Sequence, residues 1–274
     1  MSYSKYIVIF YTFILIICIV FKIYKSSKQI EPFKSELKFA VMGIFKNESM
    51  GIAEWVEHYL WQGADKILLL NNNSTDDWAT ALSKFDTNKV IVLPAEKAHA
   101  QEEHYSKLGL KWLRDNSIDI VAVLDIDEYL FCKDGTNLKT FLINIFGALE
   151  HPSSLTCKWS MFGSSGINKQ PKSVRSSFTW KKKDLHKNVK SVYFVKDIKD
   201  NIGIHTSNVS GINIDVSDRL QLNHYVIQSK EYFEKVKMKR GAADGIEHEN
   251  IRTWKYFNEY DHADEEDTLL KDML

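Results

Sequence analysis

The run Val121-Ala122-Val123-Leu124-Asp125-Ile126-Asp127-Glu128-Tyr129 brings two aspartates, one residue apart, to the end of a wholly apolar stretch. Carboxylate oxygens suit a hard divalent cation, Mn2+ or Mg2+, and such a cation neutralises a diphosphate. An isolated Asp-x-Asp pair only punctuates a strand end, but here two more polar tips accompany it. Asn71-Asn72-Asn73-Ser74-Thr75-Asp76 follows the apolar residues 66–70, and Lys46-Asn47-Glu48 follows residues 38–45. Ligands of open parallel sheets bind beyond the carboxyl ends of the strands, so these tips define one expected binding edge. The 72–76 run also has turn and capping chemistry, with Ser74 or Thr75 able to cap a helix from Asp76, and the two uses are compatible. His224, at the end of a late apolar run, reads either as a hydrogen-bonded core histidine or as a metal ligand. Glu54 and His58, four apart on a helix with no second histidine, read as a surface pair, and His99, His104 and His186 as surface residues.

The elements that would position these groups follow from hydrophobic periodicity. Residues 38–45, 66–70, 89–93 and 119–124 are short, nearly continuous apolar runs, as expected of parallel strands buried on both faces. Between them, Ile52, Trp55, Val56, Tyr59 and Leu60 form a helical stripe, as do Tyr105, Leu108, Trp112 and Leu113. Later residues predict strands over 155–162, 176–180, 191–195 and 220–226 and a charged helix over 230–240. The pattern is that of one α/β domain with a mostly parallel central sheet and a mixed second half. With 274 residues, 44% of them hydrophobic, the chain can bury a core, and its 36 basic and 36 acidic residues give no general attraction to nucleic acid. Three cysteines exclude a disulfide scaffold, leaving Cys132 and Cys157 as one candidate pair.

Residues 6–21 carry no charge and, with Ile23 and Tyr24, reach the ~20 residues of a bilayer-spanning helix. The large, basic residues that follow argue against a cleaved signal peptide. The sequence thus divides into a tail over 1–5, a membrane anchor over 6–24, a stem over 25–36, a catalytic domain over 37–260 and an acidic tail over 261–274. Lys22, Lys25 and Lys28 against Lys5 and the terminal amine would place the body in the cytosol by the positive-inside rule.

Taken together, the blocks FKNESMGIAEWVEHYLWQGADKILLLNNNSTDD, QEEHYSKLGLKWL, VLDIDEYLF, WSMFGSSG and LNHYVIQSKEYFEKVKMKRG resemble, in order, glycosyltransferase family 92 and the related family 2-like group, of GT-A type. The resemblance implies a Rossmann-type GT-A domain that moves a hexose from a nucleotide-diphosphate sugar to a hydroxyl of a glycan or glycoconjugate acceptor, with inversion. It implies that Glu48, Asn72, Asn73 and Asp76 hold the nucleotide and that Asp125 and Asp127 hold Mn2+ (or Mg2+) on the diphosphate. His224 matches the histidine that completes such a metal site, and Lys190 a family lysine that approaches the phosphates. Trp159, Phe162, Gly163 and Gly166 match the loop that shapes the sugar and acceptor pocket. It also implies a body in the lumen of the Golgi or endoplasmic reticulum, opposite to the charge rule.

An inverting transfer needs a carboxylate base, yet residues 171–178 contain no acid; Asp184 and Glu128 are the remaining candidates. Two other readings stay open. VLDIDEY resembles the first motif of haloacid-dehalogenase phosphatases, with Tyr129 in the place of Thr or Val. A catalytically impaired, anchored protein that binds nucleotide sugars also fits the missing base.

Overall fold

The structure, a computed structural model, describes residues 37–148, 150–240 and 252–274. The expected tail, anchor and stem over 1–36 lie outside these residues. Among the described residues no helix is long and apolar enough to cross a membrane.

The first half builds a parallel sheet. Strands β1 (Phe39–Phe45), β2 (Lys66–Asn71), β3 (Val90–Pro94) and β4 (Ile120–Val123) stand in the order β3-β2-β1-β4, all parallel. Alternation explains the core. Phe39, Val41 and Phe45 face one layer, with Trp55 and Tyr59 of the Ile52–Trp61 helix. Ala40, Met42 and Ile44 face the other, against Tyr105, Leu110 and Leu113. The second helix runs from Gln101–His104 through a π-helical turn, Tyr105–Gly109, into Leu110–Asp115.

The second half continues the sheet with mixed polarity. β5 (Glu128–Cys132), β6 (Ser154–Met161), β8 (Val189–Phe194) and β10 (Leu220–His224) extend it as β4-β8-β6-β10-β5, and β9 (Asn213–Asp215) also pairs with β6. β4 and β8 run antiparallel, as do β8 and β6 and also β10 and β5, whereas β6 and β10 are parallel. Consequently the chain leaves β4 at Asp125, crosses the sheet's carboxyl edge, and enters β5 four strands away. The Asp-x-Asp segment is that crossing.

Several expectations need correction. Residues 176–180 are not a strand: Val174–Ser177 is a helical turn capped by the Ser173 hydroxyl, and β7 covers only Trp180–Lys181. The acidic residues 261–274 pack on the domain: β11 (Glu265–Glu266) pairs with β7 and Leu270 is buried. Cys132 and Cys157 are free and buried, on β5 and β6 with β10 running between them. Two strand spacings of about 5 Å separate them, beyond disulfide reach. Glu54 and His58 are not a surface pair. Glu54 accepts from Ser173 Oγ at 2.7 Å and Val174 N at 2.6 Å, and is ion-paired with Arg175, while His58 is fully buried with Nε2 3.0 Å from the Leu130 carbonyl. His104 is buried as well.

Burial pushes the His58 imidazole down to about 3, the Leu130 hydrogen bond offsetting part of this and the Arg175 charge adding to it. In the unfolded chain the ring takes a proton below about 6.5; in the folded chain it does so only near 3. Between those values the unfolded state binds more protons, so stability falls as pH drops, by up to about 1.4 kcal/mol per pH unit from this group. Urea unfolding at pH 7 and pH 5 is expected to show a loss roughly 2 kcal/mol larger for the native chain than for His58→Gln. Equal losses would remove His58 as the source.

Candidate functional site

Strand register places the site. Met42 pairs with Val123 and Val123 with Ser191, so Asp125 emerges just past the end of β4, level with the last pleat of β1 and beside Lys190 of β8. His224 pairs with Met161 on one side and Glu128 on the other, and Tyr225 N donates to the Asp127 carbonyl at 2.9 Å. These strand ends surround a cleft of about 200 Å3 whose walls include Glu48, Gln101, Asp125, Asp127, Trp159 and His224.

The two aspartates are held differently. Asp125 Oδ2 accepts from Lys190 Nζ at 2.8 Å, Oδ1 accepts from Gln101 Nε2 at 3.0 Å, and its own N–H donates to Glu128 Oε2 at 2.8 Å. Lys190 Nζ is also 3.7 Å from Glu128 Oε2, and neither Lys190 nor Glu128 reaches solvent. Burial acts to raise the Asp125 carboxyl, but the Lys190 charge and hydrogen bond more than reverse it, so it stays ionised. Burial pushes Glu128 well above the usual carboxylate range; Lys190 opposes this, and the charges of Asp125 and Asp127 reinforce it. Burial alone would lower the Lys190 ammonium, yet Asp125 and Glu128 raise it beyond its ordinary value. Asp127 instead pairs with Lys237 through Oδ2, and its Oδ1 lies 3.5 Å from His224 Nε2. The His224 ring packs on Trp159 at 4.5 Å, and the His186 ring stacks with Trp159 at 5.3 Å. His186, expected at the surface, thus lines the cleft, its basicity lowered by burial and then by the neighbouring His224.

The other tips serve to build the edge. Asn72 Nδ2 donates to Ala95 O at 2.6 Å and Lys97 O at 3.0 Å, and Asn73 Nδ2 to Glu96 O at 2.7 Å. Asp76 Oδ2 accepts from Ser49 N at 2.7 Å, and Asn47 Oδ1 from Thr75 N at 2.7 Å. The β1 and β2 tips are thereby laced together. Neither Ser74 nor Thr75 caps the next helix, Trp78–Leu82, which starts after Asp77. Of the four residues expected at the nucleotide, Glu48 lines the cleft, where it accepts from the Tyr232 hydroxyl, whereas Asn72, Asn73 and Asp76 do not line it.

Lys190 lies beneath Asp125 rather than in the cleft, and its ammonium is committed to the two carboxylates. Trp159 lines the cleft, while Phe162 is fully buried against Tyr225. A Cβ on Gly163 would meet the His262 carbonyl at 2.2 Å, so only glycine lets the C-terminal segment close on this loop. Gly166, at φ +71°, borders a separate open cavity with Trp180 and Asp261. Asp184 is exposed and outside the cleft, and Glu128 is sealed under Asp125, so neither stands where a base would meet an acceptor. Sequence reasoning missed Lys237, Gln101, Arg252, Tyr256 and Tyr260, which line the cleft. Lys237 carried a signal: it shares the i, i+3, i+4 stripe of Phe233 and Val236, both buried.

Among the described residues no three His, Cys, Asp or Glu side chains form a metal cage. Asp127 Oδ1 and His224 Nε2 nevertheless face each other beyond short hydrogen-bond range, and His224 Nδ1 is buried without a partner. Two protein donors suit a cation whose remaining ligands are phosphate oxygens and waters. The donor set fits Mn2+ or Mg2+ carried with a diphosphate and does not fit a structural metal.

The family model described as glycosyltransferase family 92 matches residues 35–268. A glycosyltransferase family 92 protein of Ricinus communis is 23% identical over 223 residues, covering 78% of this chain and 40% of that protein. The chain therefore spans less than half the length of that relative. Among solved structures, S. aureus TarS 1-349 in complex with UDP-GlcNAc aligns with TM-score 0.45 and 15% identity over 71% of this chain and 60% of that one. Mannosyltransferase PcManGT from Pyrobaculum calidifontis, in complex with GDP-Man and Mn2+, aligns with TM-score 0.40 and 12% identity over 79% and 66%.

The buried Lys190 triad predicts its own energetics. Removing the one cation leaves the sealed Glu128 and the partly exposed Asp125 without it, which costs about 2 to 3 kcal/mol, at the low end of the range for a buried pair. Lys190→Met is expected to lose that much in urea unfolding. Adding Glu128→Gln, which keeps an acceptor for Asp125 N, should restore a substantial part. A single variant within about 0.5 kcal/mol of the native chain would show that the triad does not bear on stability.

Proposed function

The chain belongs to glycosyltransferase family 92, and on that premise we propose that it transfers a hexose from a nucleotide-diphosphate sugar to a hydroxyl of a glycan or glycoconjugate, with metal dependence and inversion. The observation that carries this reading is the convergence of Glu48, Asp125, Asp127 and His224 on one cleft at the carboxyl ends of β1, β4 and β10. Asp127 and His224 would hold the cation, which supplies charge stabilisation to the departing nucleoside diphosphate. Asp125, fixed by Lys190 and Gln101 but 32% exposed, presents its remaining lone pairs to hydroxyl donors of the nucleotide sugar. Glu48, oriented by Tyr232, contributes a further carboxylate to the cleft wall. Trp159, packed with His186 and His224, gives the cleft an aromatic wall against which part of a sugar ring can rest. We further propose that residues 6–24 anchor the chain and that the body faces the lumen of the Golgi or endoplasmic reticulum.

An impaired, nucleotide-sugar-binding protein remains the second reading, because each cleft carboxylate among the described residues already has a partner: Tyr232 for Glu48, Lys190 for Asp125 and Lys237 for Asp127. The experiment separates the readings. Nucleotide sugars are screened for Mn2+-dependent binding and turnover, with p-nitrophenyl phosphate as the phosphatase control. Transfer or hydrolysis of one sugar nucleotide is expected, falling at least about 100-fold in a folded Asp127→Ala protein. Binding without turnover would select the impaired reading, and phosphate release from the control alone would overturn both.

Membrane topology has its own check. In sealed microsomes the body should resist added protease until detergent is supplied; digestion without detergent would place it in the cytosol, as the flanking lysines predict.

A further inference from the structure

Neither carboxylate expected as the base, Asp184 or Glu128, stands in the cleft, but imidazoles do. Besides His224, the cleft is lined by His186 and His205, and their backbone partners set the two apart. Asn188 N donates to His186 Nδ1 at 3.2 Å, so the neutral His186 ring carries its proton on Nε2. His205 is the reverse. Its Nδ1 lies 3.0 Å from the Val189 carbonyl, which can only accept, so Nδ1 carries the proton and Nε2 keeps its lone pair. That Nε2 has no hydrogen-bond partner among the described residues. The backbone that carries the ring is fastened to β8, because the His205 carbonyl accepts from Ser191 Oγ at 2.5 Å. Gly203 N donates to Ser207 Oγ at 2.9 Å, and a Cβ on Gly203 would lie 2.1 Å from the Thr206 carbonyl oxygen, so the turn around His205 closes over a glycine. Trp159 links this imidazole to the proposed cation site: its ring centroid is 5.4 Å from that of His205 and 4.5 Å from that of His224.

Resting on the glycosyltransferase reading, we propose that His205 is the general base of the transfer, its Nε2 receiving the proton of the acceptor hydroxyl in place of a carboxylate. A sugar ring resting on Trp159 then has His224 at one end and the free imidazole lone pair of His205 at the other. As the acceptor oxygen bonds to the anomeric carbon, its proton passes to Nε2. The bond from the anomeric carbon to the diphosphate oxygen breaks, and its electron pair leaves with the nucleoside diphosphate. The ring is then an imidazolium whose Nδ1–H still donates to the Val189 carbonyl, and that carbonyl dipole favours the positive charge. Half-exposed in the open cleft, the imidazolium returns its proton to water before the next turnover.

The test measures nucleoside diphosphate release by the full chain from UDP-galactose, UDP-glucose, UDP-N-acetylglucosamine and GDP-mannose with Mn2+. Water serves first as the acceptor, then sodium azide, an anionic nucleophile with no proton to lose. His205→Ala, and His205→Gln, which fills the site without supplying a base, are expected to lose about 100-fold or more in kcat/KM with water. Both should bind UDP or GDP as the native chain does. Azide should restore release by the variants about tenfold or more, giving a glycosyl azide of inverted anomeric configuration, with little gain in the native protein. A side chain that only shapes the cleft would show no such selective rescue. Native-like turnover by both variants, or a loss in a folded variant that azide does not restore, overturns the inference and leaves the glycosyltransferase reading standing. Sugar-nucleotide binding without turnover in the native chain overturns it in favour of the impaired reading, and absence of binding overturns both.

Discussion

Lys190 is the group on which the carboxyl edge depends. It lies on β8, where the parallel half of the sheet meets the mixed half, and its ammonium sits between Asp125 and the sealed Glu128. Two carboxyls so close, buried without a cation, would force both to protonate or the turn to open. With Lys190 present, Asp125 stays charged and Glu128 caps the Asp125 N–H, which closes the tight turn that sends the chain from β4 toward β5. The backbone carbonyl of Asp125 receives the Trp55 indole N–H at 2.9 Å, tying the same turn to the helix beneath it. The chemistry-bearing segment is thus fixed from below by a charge, from the side by an indole and from above by Gln101.

The consequence is a division between the two aspartates. Asp125 is pinned through both oxygens, by Lys190 beneath it and Gln101 on the cleft wall, so its geometry is set before any ligand arrives. Asp127 is held by Lys237 and faces His224, both on the chain that follows β6 and both on the cleft wall. A fixed acceptor suits recognition of hydroxyl donors, whereas an acceptor paired with a lysine on a helical segment suits an exchangeable ligand. The aromatic wall fits that arrangement: Trp159 packs against both His224 and His186, so the histidine that faces Asp127 is itself oriented by packing.

Much of the architecture was legible because burial on both faces leaves a plain trace. All four parallel strands were expected within a residue or so of their observed ends, since a run such as Ile67-Leu68-Leu69-Leu70 admits no other placement beside a helix stripe like Ile52, Trp55, Val56 and Tyr59. The mixed half was less legible. β5 was hidden because its residues, Glu128 to Cys132, read as the continuation of the Asp-x-Asp motif. Phe178 looked strand-like, yet Glu54, from a helix over a hundred residues away, caps the turn at Ser173–Arg175 instead. In the site, Asp125, Asp127 and His224 stand on the cleft wall, whereas Asn72, Asn73 and Asp76 bond to neighbouring tips. The Nδ2 groups of Asn72 and Asn73 and one oxygen of Asp76 are engaged by backbone groups of neighbouring tips, and that competition is a tertiary fact.

The C-terminal residues explain why the Tyr256 and Tyr260 side of the cleft was the least readable part. Tyr256 and Tyr260, stacked at 4.5 Å, line the cleft from the Trp254–Tyr260 helix, which lies about thirty residues beyond His224 in sequence. Directly after it, Asp261 Oδ1 accepts from Ser164 N at 2.7 Å and His262 packs against Gly163, so the helix is fastened to the loop after β6. β11 then pairs with β7, and the buried Lys181 joins that short sheet to Glu265. A wall made this way depends on a glycine too small to obstruct it and on an aspartate spent on a backbone amide. Neither carries a spacing signature, because their meaning arises only when the two segments meet. The loop that the Gly163 and Gly166 pattern marked is accordingly a docking seat for the C-terminal segment, and it is through Tyr256 and Tyr260 that this segment reaches the cleft.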